Sequence, residues 1–328
     1  MASVSGVRRL SRVELDNTMR DVFGDDTRPA SRALTEDEHT PYDNDIATQD
    51  PSSALIDGLD ALGSAVAATV LGDANLRRRI IPCTPTGAGD AACFRQVITT
   101  LGAKALRRPL AEVEIVEYLA LQRFVTETSP YYTTGFDTAV ELFIRALILD
   151  PELNYRVEVG AASAEANVRA LDGFEIASRM SYLLLGTAPD GALIGDATAG
   201  RLATAAGRRT AAARLLADPK AKDQLHRFHA MWLGYRTLPH PAALTRAFQA
   251  ETEALIDKVV FEDKANYLDL FTANQTRVDN TLADHYGIPR PAGGNGWVTY
   301  PAASLRGGIL SHGSVLALSL IHISEPTR

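Results

Sequence analysis

One helix-start pattern occurs twice in this chain and constrains its fold more than any other feature. In Leu10-Ser-Arg-Val-Glu-Leu15 the Ser11 side chain can accept the amide of Glu14 while Glu14 reaches back to Ser11, and Leu10 and Leu15 form a hydrophobic staple. In Leu171-Asp-Gly-Phe-Glu-Ile176, Asp172, Glu175, Leu171 and Ile176 take the same four places. After the first start, Leu15, Met19, Val22 and Phe23 fall at helical spacing, and Gly24 supplies a left-handed stop. After the second, the predicted stripe is Ile176, Met180, Leu183 and Leu184, ending at Gly186.

Helical spacing continues along the chain. A helix is predicted over 53–72 on Leu55, Leu59, Leu62, Val66 and Val70, and another is capped by Asp90 with Phe94, Val97, Ile98 and Leu101 inward. The proline of Arg107-Arg108-Pro109 breaks that helix. Further helices are predicted over 111–126 on Ile115, Val116, Leu119 and Phe124, and over 136–149 on Val140, Ile144 and Leu147. Asp218-Pro219 opens a helix that Gly234 closes after Leu225, Phe228, Trp232 and Leu233, and amphipathic segments follow at 245–261 and 279–286. Residues 25–52 lack periodicity and read as a long surface loop, and 155–159 alternates like a short extended connector. The predicted fold is mostly α: a multi-helix orthogonal bundle of two packed helical units with long loops and little or no sheet.

The 328-residue length fits about two domains, and 46% hydrophobic with 22% charged residues excludes collagen-like, disordered and membrane-spanning classes. Asp57 and Asp60 argue against the 53–72 segment crossing a bilayer. With 33 basic against 40 acidic side chains the net charge is −7, so a nucleic-acid surface is not expected. No apolar leader follows Met1. The last eleven residues, Leu318-Ser-Leu-Ile-His-Ile-Ser-Glu-Pro-Thr-Arg328, resemble an in-frame translation of a sequencing adapter, so the gene-encoded chain is expected to stop near Ala317.

Cys83 and Cys93 flank a Gly/Pro-containing loop, and on spacing alone a disulfide and two free buried thiols both stand. Gly87-Ala-Gly89 before a helix approaches a dinucleotide fingerprint but lacks the preceding parallel strand. His226 and His229 have a spacing two metal ligands can use, yet His229 lies on the apolar stripe with Leu225 and Trp232, and no metal site is assigned. Glu251 and Glu253 flank Thr252 on different helix faces, and Ser314 lacks the glycine pattern of a nucleophile elbow. If the chain is an enzyme, its candidate catalytic residues are His229, Glu253 and His285. The absence of Cys-x-x-Cys-His leaves this sequence without a haem site of its own, and no cofactor is assigned to it.

Several of these segments resemble a modular family. Arg8-Arg-Leu-Ser-Arg-Val-Glu-Leu-Asp-Asn-Thr-Met-Arg-Asp-Val-Phe-Gly24 is similar to the opening of domain of unknown function 1587, and Ala105-Leu-Arg-Arg-Pro-Leu110 to the arginine signature of domain 1595. Phe174-Glu-Ile-Ala-Ser-Arg-Met-Ser-Tyr182, Phe228-His-Ala-Met-Trp-Leu-Gly234 and Leu282-Ala-Asp-His-Tyr-Gly287 resemble successive motifs of domain 1592, and Arg306-Gly-Gly-Ile-Leu310 the start of domain 1588. Leu15 and Asp16 depart from the usual Tyr-Asn, and Leu185 stands where the family often has tryptophan.

The resemblance implies modules at 1–75, 76–165 and 166–300, a truncated one at 301–317, and 318–328 as the adapter-like tail. Such modules belong to myxobacterial and planctomycete envelope proteins, some joined to a cytochrome-c segment. Export is therefore implied, and with it a Cys83–Cys93 disulfide. The implied function is a cell-envelope scaffold or binding module of a larger protein that contacts further modules of that protein. The alternatives are an extracellular enzyme and an accessory to a cytochrome-c electron-transfer protein.

Overall fold

The computed structural model describes residues 7–38, 42–49, 51–126, 135–165 and 167–318. These residues are mostly helical, and their strands form three short antiparallel pairs. Of the adapter-like tail only Leu318 lies among them; 319–328 falls outside the described residues. The chain divides into two compact units, Met1–Ala221 and Lys222–Arg328.

In the first unit, the Arg12–Thr18 helix starts on Ser11, whose hydroxyl accepts the Glu14 amide while Glu14 accepts the Ser11 amide. It continues as a π-helical turn, Met19–Phe23, and stops at Gly24 with φ 86°. Leu15, Met19, Val22 and Phe23 are buried as predicted. The Ser53–Gly72 helix lays Leu59, Leu62, Val66 and Val70 against the Phe136–Leu149 helix, where Val140, Ile144 and Leu147 are fully buried. Close contact between these two helices uses Gly63, above which the backbone and side chain of Arg145 leave no slack for a larger residue. The Ser53–Gly72 helix is long and apolar enough by composition to cross a membrane, but its apolar stripe is part of this unit's core.

Three expectations need correction. The 25–52 segment carries a Pro29–Ala33 helix, whose first amides are capped by the Asp16 carboxylate, and a short 3-10 turn at Ile46–Thr48. The 111–126 segment is α-helical only over Glu112–Leu119 and tightens to 3-10 over Ala120–Thr126, leaving Val116 exposed and Val125 buried. In the Gly173–Leu185 helix, capped by Asp172 and Glu175, the buried face is Ala177, Ser181, Tyr182 and Leu185, while Leu183 is 67% exposed. Two adjacent apolar stripes were available there. The Tyr182 hydroxyl, 2.9 Å from Thr18 Oγ1 in the interior, belongs to the stripe that packs.

The arginine pair before Pro109 organises this unit. Arg107 is buried at φ 62° and donates to the backbone carbonyls of Glu152, Leu153 and Tyr155, ending the short Pro151–Asn154 helix. Arg108 pairs with both Glu114 and Glu152. Beyond them Tyr155–Arg156 pairs antiparallel with Arg8–Arg9, so the first two residues of the predicted extended connector are one strand of a short two-stranded ladder. Cys83 and Cys93 are disulfide-bonded with their Cα atoms 5.7 Å apart, beside the Asp90 cap of the Ala91–Ala105 helix.

The second unit is built on the Ala242–Ile256 helix, which continues as a π-helical turn over Asp257–Glu262. Against it pack the Asn280–Tyr286 helix, the Gln275–Asp279 strand and the short Gly313–Leu316 helix. Gln275–Asp279 pairs antiparallel with Asn295–Thr299, a hairpin-like pair whose inward residues are Thr276 and Val278.

Candidate functional site

The apolar stripe predicted for the helix after Asp218 is not wholly inward. Phe228 and Trp232, one helical turn apart, are 38% and 41% exposed, with rings stacked at 5.9 Å and 23°. Tyr267, from the Tyr267–Phe271 turn, is 38% exposed beside them. The Phe271 ring meets both Trp232 and Tyr267 edge-on at 6.4 Å. These rings form an aromatic face at the surface of the second unit.

His229 lies beneath this face and is completely buried. Its Nδ1 is 2.8 Å from the Leu225 carbonyl oxygen, which can only accept, so Nδ1 carries the proton. Nε2 is then an acceptor, and the Tyr267 hydroxyl donates to it at 2.9 Å. Burial lowers the His229 pKa, the His226 charge adds to this and the Leu225 carbonyl opposes it. A neutral histidine with both nitrogens engaged therefore fixes where the Tyr267 ring stands. His226, three residues earlier, turns instead to Asp257, which also binds Lys222.

The other two predicted catalytic residues have different surroundings. Glu253 is half-buried; burial raises its pKa, His226 opposes this, and Asp257 and Asp223 reinforce it. His285 is exposed at the end of the Asn280–Tyr286 helix, its ring 5.3 Å from that of Phe248. Among the described residues, no hydrogen bond or ring contact joins any two of His229, Glu253 and His285.

A densely bonded polar centre of the unit forms around a different glutamate. Glu251 is fully buried and accepts hydroxyl protons from Thr276 at 2.6 Å, Tyr300 at 3.2 Å and Tyr286. Its pKa is raised by burial against the opposing effect of those three donors and of Arg306. Tyr286 in turn accepts the Gly313 amide at 2.7 Å, and the Arg306 guanidinium lies 3.8 Å over its ring. Thr252 bonds Ser314 at 2.6 Å and His312 Nδ1 at 3.1 Å, all within the interior. His312 Nε2 stands 3.9 Å from Glu251 with no hydrogen bond of its own, and burial holds its pKa down to about 3.

A serine, a histidine and a carboxylate thus come together, but each is fully buried, so the cluster ties the 306–314 segment to the Ala242–Ile256 helix and Ser314 is out of contact with solvent. Sequence reading missed it because its members lie far apart in sequence, Thr252 and Ser314 for instance by 62 positions. The only local signal was Glu251 on the apolar face of an amphipathic helix.

Residues 171–288 match the family described as a protein of unknown function (DUF1592), and residues 8–72 match the family described as a protein of unknown function (DUF1587). Along the chain the DUF1587 match precedes the DUF1592 match. Neither the curated proteins nor the solved structures contain a match.

Proposed function

We propose that this chain is an exported cell-envelope unit, a scaffold or binding module of a larger protein, and that its contact surface is the aromatic face of Phe228, Trp232 and Tyr267. The observation that carries the reading is that these rings are more than a third exposed and that one of them, Tyr267, is held by a hydrogen bond to the buried His229. Rigid aromatic side chains give large contact area at little entropic cost, which is why they dominate contact surfaces. The Cys83–Cys93 disulfide supports an oxidising location outside the cytoplasm.

On this reading the source is of myxobacterial or planctomycete type, 76–165 is the 1595-like module, and 301–317 is the beginning of a 1588-like module. The enzyme alternative through His229, Glu253 and His285 has less support, because His229 has both ring nitrogens committed to fixed partners. The electron-transfer alternative depends on a haem segment elsewhere in the protein. Fractionation of the source cells with thiol alkylation tests the export claim. Recovery of the full-length protein outside the cytoplasm with Cys83 and Cys93 unreactive supports it, and recovery in the cytoplasm with two reactive thiols contradicts it.

A further inference from the structure

A cavity of about 390 Å³ lies within the first unit, in the range of small-molecule sites, with an uneven charge balance around it. Its carboxylates are already engaged. Asp21 is held by Arg20 and by Lys220 at 3.0 Å, Asp190 by Arg214 from outside the cavity, and Asp218 accepts the Lys220 amide. Arg79 and Lys104 also line the cavity, and neither makes an ion pair among the described residues. In a chain of net charge −7, this leaves a local surplus of positive charge facing a half-open pocket.

Two further features point to a ligand. Thr187, 1% exposed, lines the same cavity, and its hydroxyl has no hydrogen-bond partner. Thr138, Ser178, Ser181 and Tyr235 also carry buried hydroxyls without a partner among the described residues, but of these five only Thr187 lines this cavity, where a ligand could satisfy it. Val22, Leu185 and Ala188 give the cavity an apolar wall, each at most 6% exposed. Arg79 is also positioned: its guanidinium Nη1 lies 3.1 Å from where a Cβ on Gly24 would be, so the missing side chain there lets it lie against the backbone.

We propose that this cavity binds a small organic anion, its carboxylate held by Arg79, Lys104 and the Thr187 hydroxyl and its apolar part set against Val22, Leu185 and Ala188. The site is separate from the aromatic face and does not depend on the function proposed for it. The competing account is that Arg79 and Lys104, each in the last turn of a helix, serve only to offset the helix dipole.

Calorimetric titration of the full chain with benzoate, and with benzamide as its uncharged counterpart of like shape, separates the two accounts. The proposal expects saturable benzoate binding below about 10 mM and at least tenfold weaker benzamide binding, a difference of about 1.4 kcal/mol. Arg79→Gln with Lys104→Gln should weaken benzoate at least tenfold without lowering the melting temperature, since both side chains are exposed. Thr187→Val keeps the side-chain shape and should also weaken benzoate. Absence of saturable benzoate binding, equal affinity for benzamide, or unchanged affinity in the double variant would overturn the proposal.

Discussion

The Tyr267 hydroxyl donates to Nε2 of His229 at 2.9 Å, joining two residues 38 positions apart, one wholly buried and the other more than a third exposed. Through this bond the interior of the second unit sets the geometry of its surface. Tyr267→Phe would leave Nε2 buried without a donor, at a cost of about 1–3 kcal/mol. Urea unfolding of the full chain should show that loss, and an unchanged midpoint would mean the bond does not hold the ring.

Glu251 is expected to be the most sensitive polar position in the second unit. Glu251→Leu deprives the hydroxyls of Thr276, Tyr286 and Tyr300 of their common acceptor, and should cost about 3 kcal/mol or more. Glu251→Gln keeps one acceptor oxygen and should cost less. Equal thermal shifts for the two variants would show that side-chain shape, and not hydrogen bonding, matters there.

The neighbouring histidine predicts an acid-sensitive contribution. His312 is neutral when folded because burial, and after it the Arg306 charge, hold its pKa down to about 3. The unfolded chain takes up a proton on this histidine near pH 6.5, before the folded chain does. Its contribution is therefore complete above about pH 6.5 and falls as pH drops towards 3, by up to about 1.4 kcal/mol per unit. Glu251, whose folded pKa is raised, acts in the opposite direction above the ordinary glutamate range and ceases to oppose below it. The stability advantage of the wild type over His312→Asn should shrink between about pH 6.5 and about pH 4. A constant difference in urea midpoint over that range would contradict this.

Gly313 admits no side chain. A Cβ there would lie 2.0 Å from Phe248 Cε1 and 2.7 Å from the Tyr286 hydroxyl. Gly313→Ala must displace the ring or the 306–314 segment, and overpacking of this kind costs about 1–3 kcal/mol. Differential scanning calorimetry should show a lowered melting temperature, whereas a wild-type value would mean the segment shifts freely.

The fold was legible wherever local chemistry decides it. The Ser11 and Asp172 capping boxes, the Gly24 and Gly186 stops and the Phe136–Leu149 stripe follow from near neighbours in sequence. What failed was the choice between adjacent apolar stripes: Leu183 and Trp232 fit a helical period, but tertiary contacts put them outside the core. The site was legible only in part. His229 could be placed on an apolar face, but its partner Tyr267, and the hydroxyls that converge on Glu251, come from segments whose meeting no local spacing encodes.

The central claim is that the Phe228, Trp232 and Tyr267 face is the contact surface of an envelope module. Its most direct test is co-sedimentation of the full chain with the cell-envelope fraction of the source organism, comparing the wild type with Phe228→Ala/Trp232→Ala. The account predicts that wild type pellets with that fraction and that the variant, with its fold verified by far-UV circular dichroism, stays in the supernatant. Equal pelleting of both proteins, or no pelleting of the wild type, would contradict it.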